Sequence, residues 1–85
     1  PFLDNVMFFK RYKDIKMEIL GELVLEKMRE LRVCTPEGLL LSISTDKDVK
    51  VRLLPFLWHL IAVRRIGAEL NEPFNMKSTI WVLET

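Results

Sequence analysis

The sequence predicts a small α+β domain, two or three helices followed by a C-terminal β-hairpin. Three observations carry this. Residues 49–66, VKVRLLPFLWHLIAVRRI, place Leu53, Leu57, Leu60 and Ile61 at i, i+4, i+7 and i+8, one stripe of a helical period. Residues 14–32 carry a second stripe, Met17, Leu20, Val24, Met28 and Leu31, with Ile19 and Leu23 beside it. Residues 78–84, STIWVLE, have the β-branched and aromatic composition of a strand.

At 85 residues and 49% apolar content, the chain supports one packed core and does not read as disordered. Residues 1–13 read as an N-terminal arm and residues 14–85 as a single domain. Phe2, Leu3, Val6, Phe8 and Phe9 are poor candidates for water, so the arm is expected either to pack on the body as a short helical turn or to dock on another chain. Lys10, Arg11, Lys13 and Lys16 follow as a solvated basic cluster. Asp4, Lys10, Arg11 and Lys13 interrupt any apolar run, so no signal peptide is expected, and no stretch is long enough to span a membrane. The expected setting is intracellular, cytoplasmic or nuclear. Pro1 stands first, as in a processed protein or a piece of a longer one.

Within residues 14–32 the charges follow the helix dipole, Asp14 and Glu18 early, Lys27, Arg29 and Arg32 late. Gly21 costs ~1 kcal/mol there relative to alanine. Glu22, Glu26 and Glu30 fall on one edge and read as a solvated face. Residues 33–45 are open to two readings. Thr35, Pro36 and Glu37 have the chemistry of a helix start. TPEG also suits a β-turn, which would pair residues 31–34 with 39–44 as a hairpin. The central stretch is open too. Asp46 or Asp48 caps an early helix start, or the helix begins at Pro55 and residues 49–54 form a strand. Residues 65–70 alternate like a strand, residues 71–77 read as a loop, and residues 78–84 close the hairpin.

This order is a helix, a short extended piece, a T-P-E-x-L segment, a central helix and a terminal hairpin. Together with Leu53, Leu57, Leu60 and Ile66, it resembles the winged-helix family over residues 14–84. The competing fold is an α+β domain with a β-meander at residues 30–54. The resemblance implies a central helix laid in the major groove of duplex DNA, as in a transcriptional regulator or a replication-type factor. Lys47, Lys50, Arg52, Arg64, Arg65 and the wing residue Lys77 are the side chains suited to that role.

The outward face of the central helix departs from that pattern. Val51, Leu54, Pro55 and Trp58 are apolar, where a reader of bases needs donors and cations. Arg52 and His59 would form a polar rim. Such a patch marks a protein contact, with Val51, Leu54, Pro55, Trp58 and His59 as its interface residues. Thirteen basic and twelve acidic residues, net +1, also fall short of the clear basicity of most phosphate-gripping domains.

Catalytic and metal chemistry lacks its signals. The three glycines are dispersed, so no glycine-rich loop cradles phosphate. One cysteine and one histidine, Cys34 and His59, show no zinc-ligand spacing and lack an orienting third group for nucleophilic work. Cys34 reads as a small buried apolar side chain. The expectation is a non-enzymatic protein–protein interaction or assembly module, self-associating as a homodimer or part of a larger complex, with no cofactor, metal or small-molecule substrate. The alternative is a DNA-binding winged helix.

Overall fold

The computed structural model describes residues 2–10 and 19–83. In chain order these form α1 (Phe2–Lys10), α2 (Ile19–Leu31), β1 (Val33–Cys34), α3 (Pro36–Ile43), α4 (Lys47–Ala62), β2 (Ile66–Ala68) and β3 (Ile80–Val82). The result is an α+β domain with four described helices and a three-stranded antiparallel sheet of order β1-β3-β2.

Helix α4 starts early. The Asp46 carboxylate accepts from the backbone N–H groups of Asp48 at 2.8 Å and Val49 at 3.4 Å. That satisfies donors every helix start leaves free. Pro55 therefore lies inside the helix, and the alternatives of a start at Pro55 and a strand at residues 49–54 are overturned. An interior proline costs ~3 kcal/mol, whereas burying a leucine or isoleucine contributes ~1.5–3 kcal/mol each. Leu53, Leu57 and Leu60 are fully buried and Ile61 is nearly so, so the apolar stripe outweighs the proline.

Residues 33–45 resolve into a strand and a helix. Thr35 caps α3, its hydroxyl accepting from Gly38 N at 3.0 Å, with Pro36 in the first turn. Leu39 and Leu40 are buried as a result. The hairpin of residues 31–34 with 39–44 and the meander at 30–54 are thereby overturned. The domain after the arm thus holds three described helices, within the two or three expected, and the arm adds α1.

Helix α2 turns a slightly different face inward than the sequence suggests. Gly21, Val24, Leu25 and Met28 are buried, whereas Leu31, placed in the stripe, is exposed. Ile19 is also exposed, and Leu20 packs at the core margin. Met17, Asp14, Glu18 and the basic residues Arg11, Lys13 and Lys16 lie outside the described residues. Glu22, Glu26 and Glu30 face solvent as expected. Glu26 pairs with Arg29, and Glu30 with Lys27 at 3.2 Å.

The hairpin forms in a shorter version than residues 65–70 and 78–84. Ile66 opposes Val82, Gly67 opposes Trp81 and Ala68 opposes Ile80. On the other edge of β3, Val33 opposes Trp81 and Cys34 opposes Ile80. Ile66 and Ile80 point into the core with Val24, Leu25, Met28, Leu39, Leu40, Leu53, Leu57, Leu60 and Ile61.

Candidate interaction surface

The outward stripe of α4 runs Val51, Leu54, Pro55, Trp58, and the structure divides it into two ends. At the N-terminal end, Val51 is 56% exposed and Leu54 is half-buried. They line a groove of about 190 Å³ with Leu40 of α3 and Met76 of the β2–β3 connection. Glu37, Lys47 and Lys50 supply its charges. At the C-terminal end, Trp58 is covered. Its indole meets the ring of Phe8 edge-on at 5.8 Å and the ring of Phe74 edge-on at 5.6 Å. Trp58 packs against the core margin as well. Trp58, expected among the interface residues, is thus half-buried, with Phe8 of α1 against it. Pro55 is half-buried, and His59 is only 7% exposed, so it sits inside rather than on a polar rim.

The cover is fastened through the backbone. Asn5 of α1 is buried, and its amide nitrogen donates to the carbonyls of Leu70 at 3.0 Å and Glu72 at 2.8 Å. Its carbonyl accepts from Phe74 N at 3.3 Å. A buried amide that makes three bonds fixes both orientation and register. The far end of the same connection is tied to α3, where Glu37 N donates to Met76 O at 3.0 Å. Glu37 N is one of the orphan donors of the α3 N-terminus. Pro36 has no N–H, and Gly38 N is capped by Thr35, so Met76 completes the account of that first turn.

The tip is also closed on itself. Asn75 N donates to Ser78 Oγ at 2.9 Å, Lys77 N to Asn75 Oδ1 at 2.7 Å, and Ser78 N to Asn75 O at 3.1 Å. Residues 69–79 therefore lie along the body, held by α1 at one end and α3 at the other. Sequence reasoning read them as a plain connecting loop, placed Phe8 only among the arm's apolar residues, and did not single out Asn5 or Phe74. The available signal was a lone amide, three residues before an aromatic, inside an otherwise apolar arm.

The cations suited to DNA fall into two groups. Lys47 and Lys50 border the groove, Arg52 is exposed on the same half of α4, and Lys77 is exposed beside Met76. Arg64 and Arg65 are exposed past the other end of the helix, roughly 18–25 Å along it from Arg52 and Lys47 at 1.5 Å per residue. Glu37 lines the same groove as the lysines, and Asp46 and Asp48 flank Lys47 in sequence.

Cys34 is half-buried on β1, and its thiol donates to Met28 Sδ at 3.7 Å. Burial raises its pKa above the ordinary thiol value, which disfavours the thiolate. Among the described residues, no group of three His, Cys, Asp or Glu side chains is placed to hold a metal ion, and no helix is long and apolar enough to cross a membrane. No known family model matches this chain, and neither a curated protein nor a solved structure matches it significantly.

Proposed function

We propose that this chain is a non-enzymatic interaction module of winged-helix type that docks protein on the open end of the α4 stripe, with a second copy of itself as the simplest partner. The observation that carries the reading is the Val51–Leu54 groove. Its lining is mostly apolar, Leu40, Val51, Leu54 and Met76, with charges of both signs on Glu37, Lys47 and Lys50. An apolar concavity with charged side chains beside it suits a protein contact with an apolar centre and a polar rim. The winged-helix part of the reading is supported by the order of elements from α2 to β3, which follows the order the resemblance implies.

Sedimentation velocity over a concentration series tests it. The parent should associate, and Val51→Lys, at an exposed position, should stay folded by circular dichroism and lose that association. A parent that stays monomeric at every concentration removes the homodimer.

A second reading, duplex DNA binding, is favoured by Lys47, Lys50 and Arg52 in the first half of α4, with exposed Lys77 next in sequence to the groove residue Met76. Against it stand the interleaved Glu37, Asp46 and Asp48, the separation of Arg64 and Arg65, and a β2–β3 connection tied to the body. Random duplex DNA titrated across a salt series separates the two. Phosphate contacts give a steep inverse salt dependence; absence of binding at low salt eliminates this second reading.

A further inference from the structure

Two arginines stand where the backbone suits glycine. Arg32 has φ 67° and Arg64 φ 62°, and no other non-glycine among the described residues has positive φ. A side chain in that region is uncommon and is held there by its surroundings. Arg32 follows α2 and leads into β1; Arg64 follows α4 and leads through Arg65 into β2. Both strands run antiparallel to β3 and flank it, so they start at the same end of the sheet. There Val82 N donates to Arg32 O at 2.9 Å, and Leu83 N donates to Arg65 O at 3.1 Å. Arg32 and Arg65 thus stand on either side of β3, about 10 Å apart at two strand spacings. All three arginines are exposed, and among the described residues none forms an ion pair. Of the acids nearest in sequence, Glu30 pairs with Lys27 and Glu69 accepts from Asn71 N, while Glu84 lies outside the described residues. An aromatic surface adjoins the cluster. Ile80 is buried in the core, so its strand neighbour Trp81 faces the other side of the sheet. On that outer side Trp81 is half-buried, lies across Gly67, and has Val33 opposite it on β1, 61% exposed.

We propose that this end of the sheet binds single-stranded nucleic acid, with a base stacked on Trp81 and phosphates met by Arg32, Arg64 and Arg65. Three unopposed cations around one aromatic favour a ligand in which charge and flat ring alternate along a chain. A single strand has that form, and aromatic stacking flanked by guanidinium groups is how such strands are held. A duplex keeps its bases paired and stacked inside, which leaves the indole without a role. The site is separate from the Val51–Leu54 groove, whose charges are Glu37, Lys47 and Lys50, and does not rest on the reading of that groove.

The test is fluorescence anisotropy of labelled oligo(dT) with the full chain across a salt series. The parent should bind, with a log–log salt slope of about −2, as three phosphate contacts give on a single strand. The chain carrying Arg32→Gly and Arg64→Gly separates binding from folding, because glycine adopts positive φ freely. It should fold as well as the parent by circular dichroism, bind roughly tenfold or more weakly, and show a flatter slope. An abasic strand of the same length offers phosphates without bases, and the parent should bind it roughly tenfold more weakly than oligo(dT). Four results overturn the proposal. They are no binding at low salt, equal binding of the abasic strand or of polyglutamate, duplex bound as tightly as the single strand, and binding that survives the two glycines but is lost on Lys47→Ser with Arg52→Ser.

Discussion

Trp81 lies across the backbone of Gly67. The two are directly opposed in the β2–β3 ladder, and a Cβ added at Gly67 would overlap the indole Nε1 and Cε2 of Trp81. Glycine is required here by a neighbour, not by backbone conformation, since no glycine in the structure has positive φ. Gly67→Ala should therefore destabilise the domain by ~1–3 kcal/mol, the usual cost of overpacking. In a Trp81→Val background the same substitution should cost much less. Urea unfolding of the four chains of this double-mutant cycle measures the difference.

Leu57 and Leu60 are fully buried at the centre of the core. Leu60→Ala should cost ~2–5 kcal/mol, a large part of the stability of a domain this size. A melting temperature near that of the parent would show that α4 faces the other way.

Trp58 now belongs to the fold. Its contacts with Phe8 and Phe74 join three separate parts of the chain. Trp58→Ala should lower stability by ~2–4 kcal/mol, toward the lower end of the range for core aromatics because the residue is only half-buried. If unfolding is unchanged in denaturant, the indole contributes nothing to holding α1 in place.

Arg64 ends α4 at φ 62°, in the left-handed region. Arg65 N donates to Leu60 O at 2.9 Å and Arg64 N to Ile61 O at 3.2 Å, a helix end at which glycine is the usual occupant. Relieving the side-chain strain at this position outweighs the extra freedom glycine has in the unfolded chain, so Arg64→Gly should stabilise by ~0.5–1 kcal/mol. Thermal melts read this directly. Under the DNA reading, the same change should also weaken binding.

Cys34 has a pKa raised by burial. The folded state therefore holds its proton more tightly than the unfolded chain. The associated stability is fully present below the ordinary thiol value of 9.0 and is lost as pH rises through the higher folded value. Cys34→Ala should remove that part of the alkaline decline. Stability measured from pH 8 to 11 on both chains isolates it, since the other titrating groups are common to the two.

Much of the helical frame is legible in the sequence, because spacing alone says which residues of α4 face one way. The Leu53, Leu57, Leu60 and Ile61 stripe is buried as its period implies. The segment around Thr35 could not be decided that way. Its chemistry suits a helix cap and a turn equally, and burial of Leu39 and Leu40 against the other helices breaks the tie. The state of Trp58 was illegible for a different reason. A helical period reports direction but not what another segment lays on top, and Phe8 and Phe74 come from distant parts of the chain. Asn5 gave a faint signal, yet its partners are backbone atoms and leave no trace in residue identity.

The bond from Asn5 to Phe74 closes a span of 69 residues. During synthesis α1 is thus among the first of the described elements to be made, and residues 70–74, whose backbone Asn5 engages, are among the last. At ~5–20 residues per second, the interval is roughly 3–14 s. The helices α2, α3 and α4 pack on one another and can begin to assemble within it, before Ile80 completes their core. Trp58, the ring that meets Phe8, is made earlier, but Asn5 has no backbone partners until residues 70–74 emerge. The arm is therefore an early-made, late-docked element, and its apolar side is in the meantime a natural client for whatever chaperone meets the growing chain.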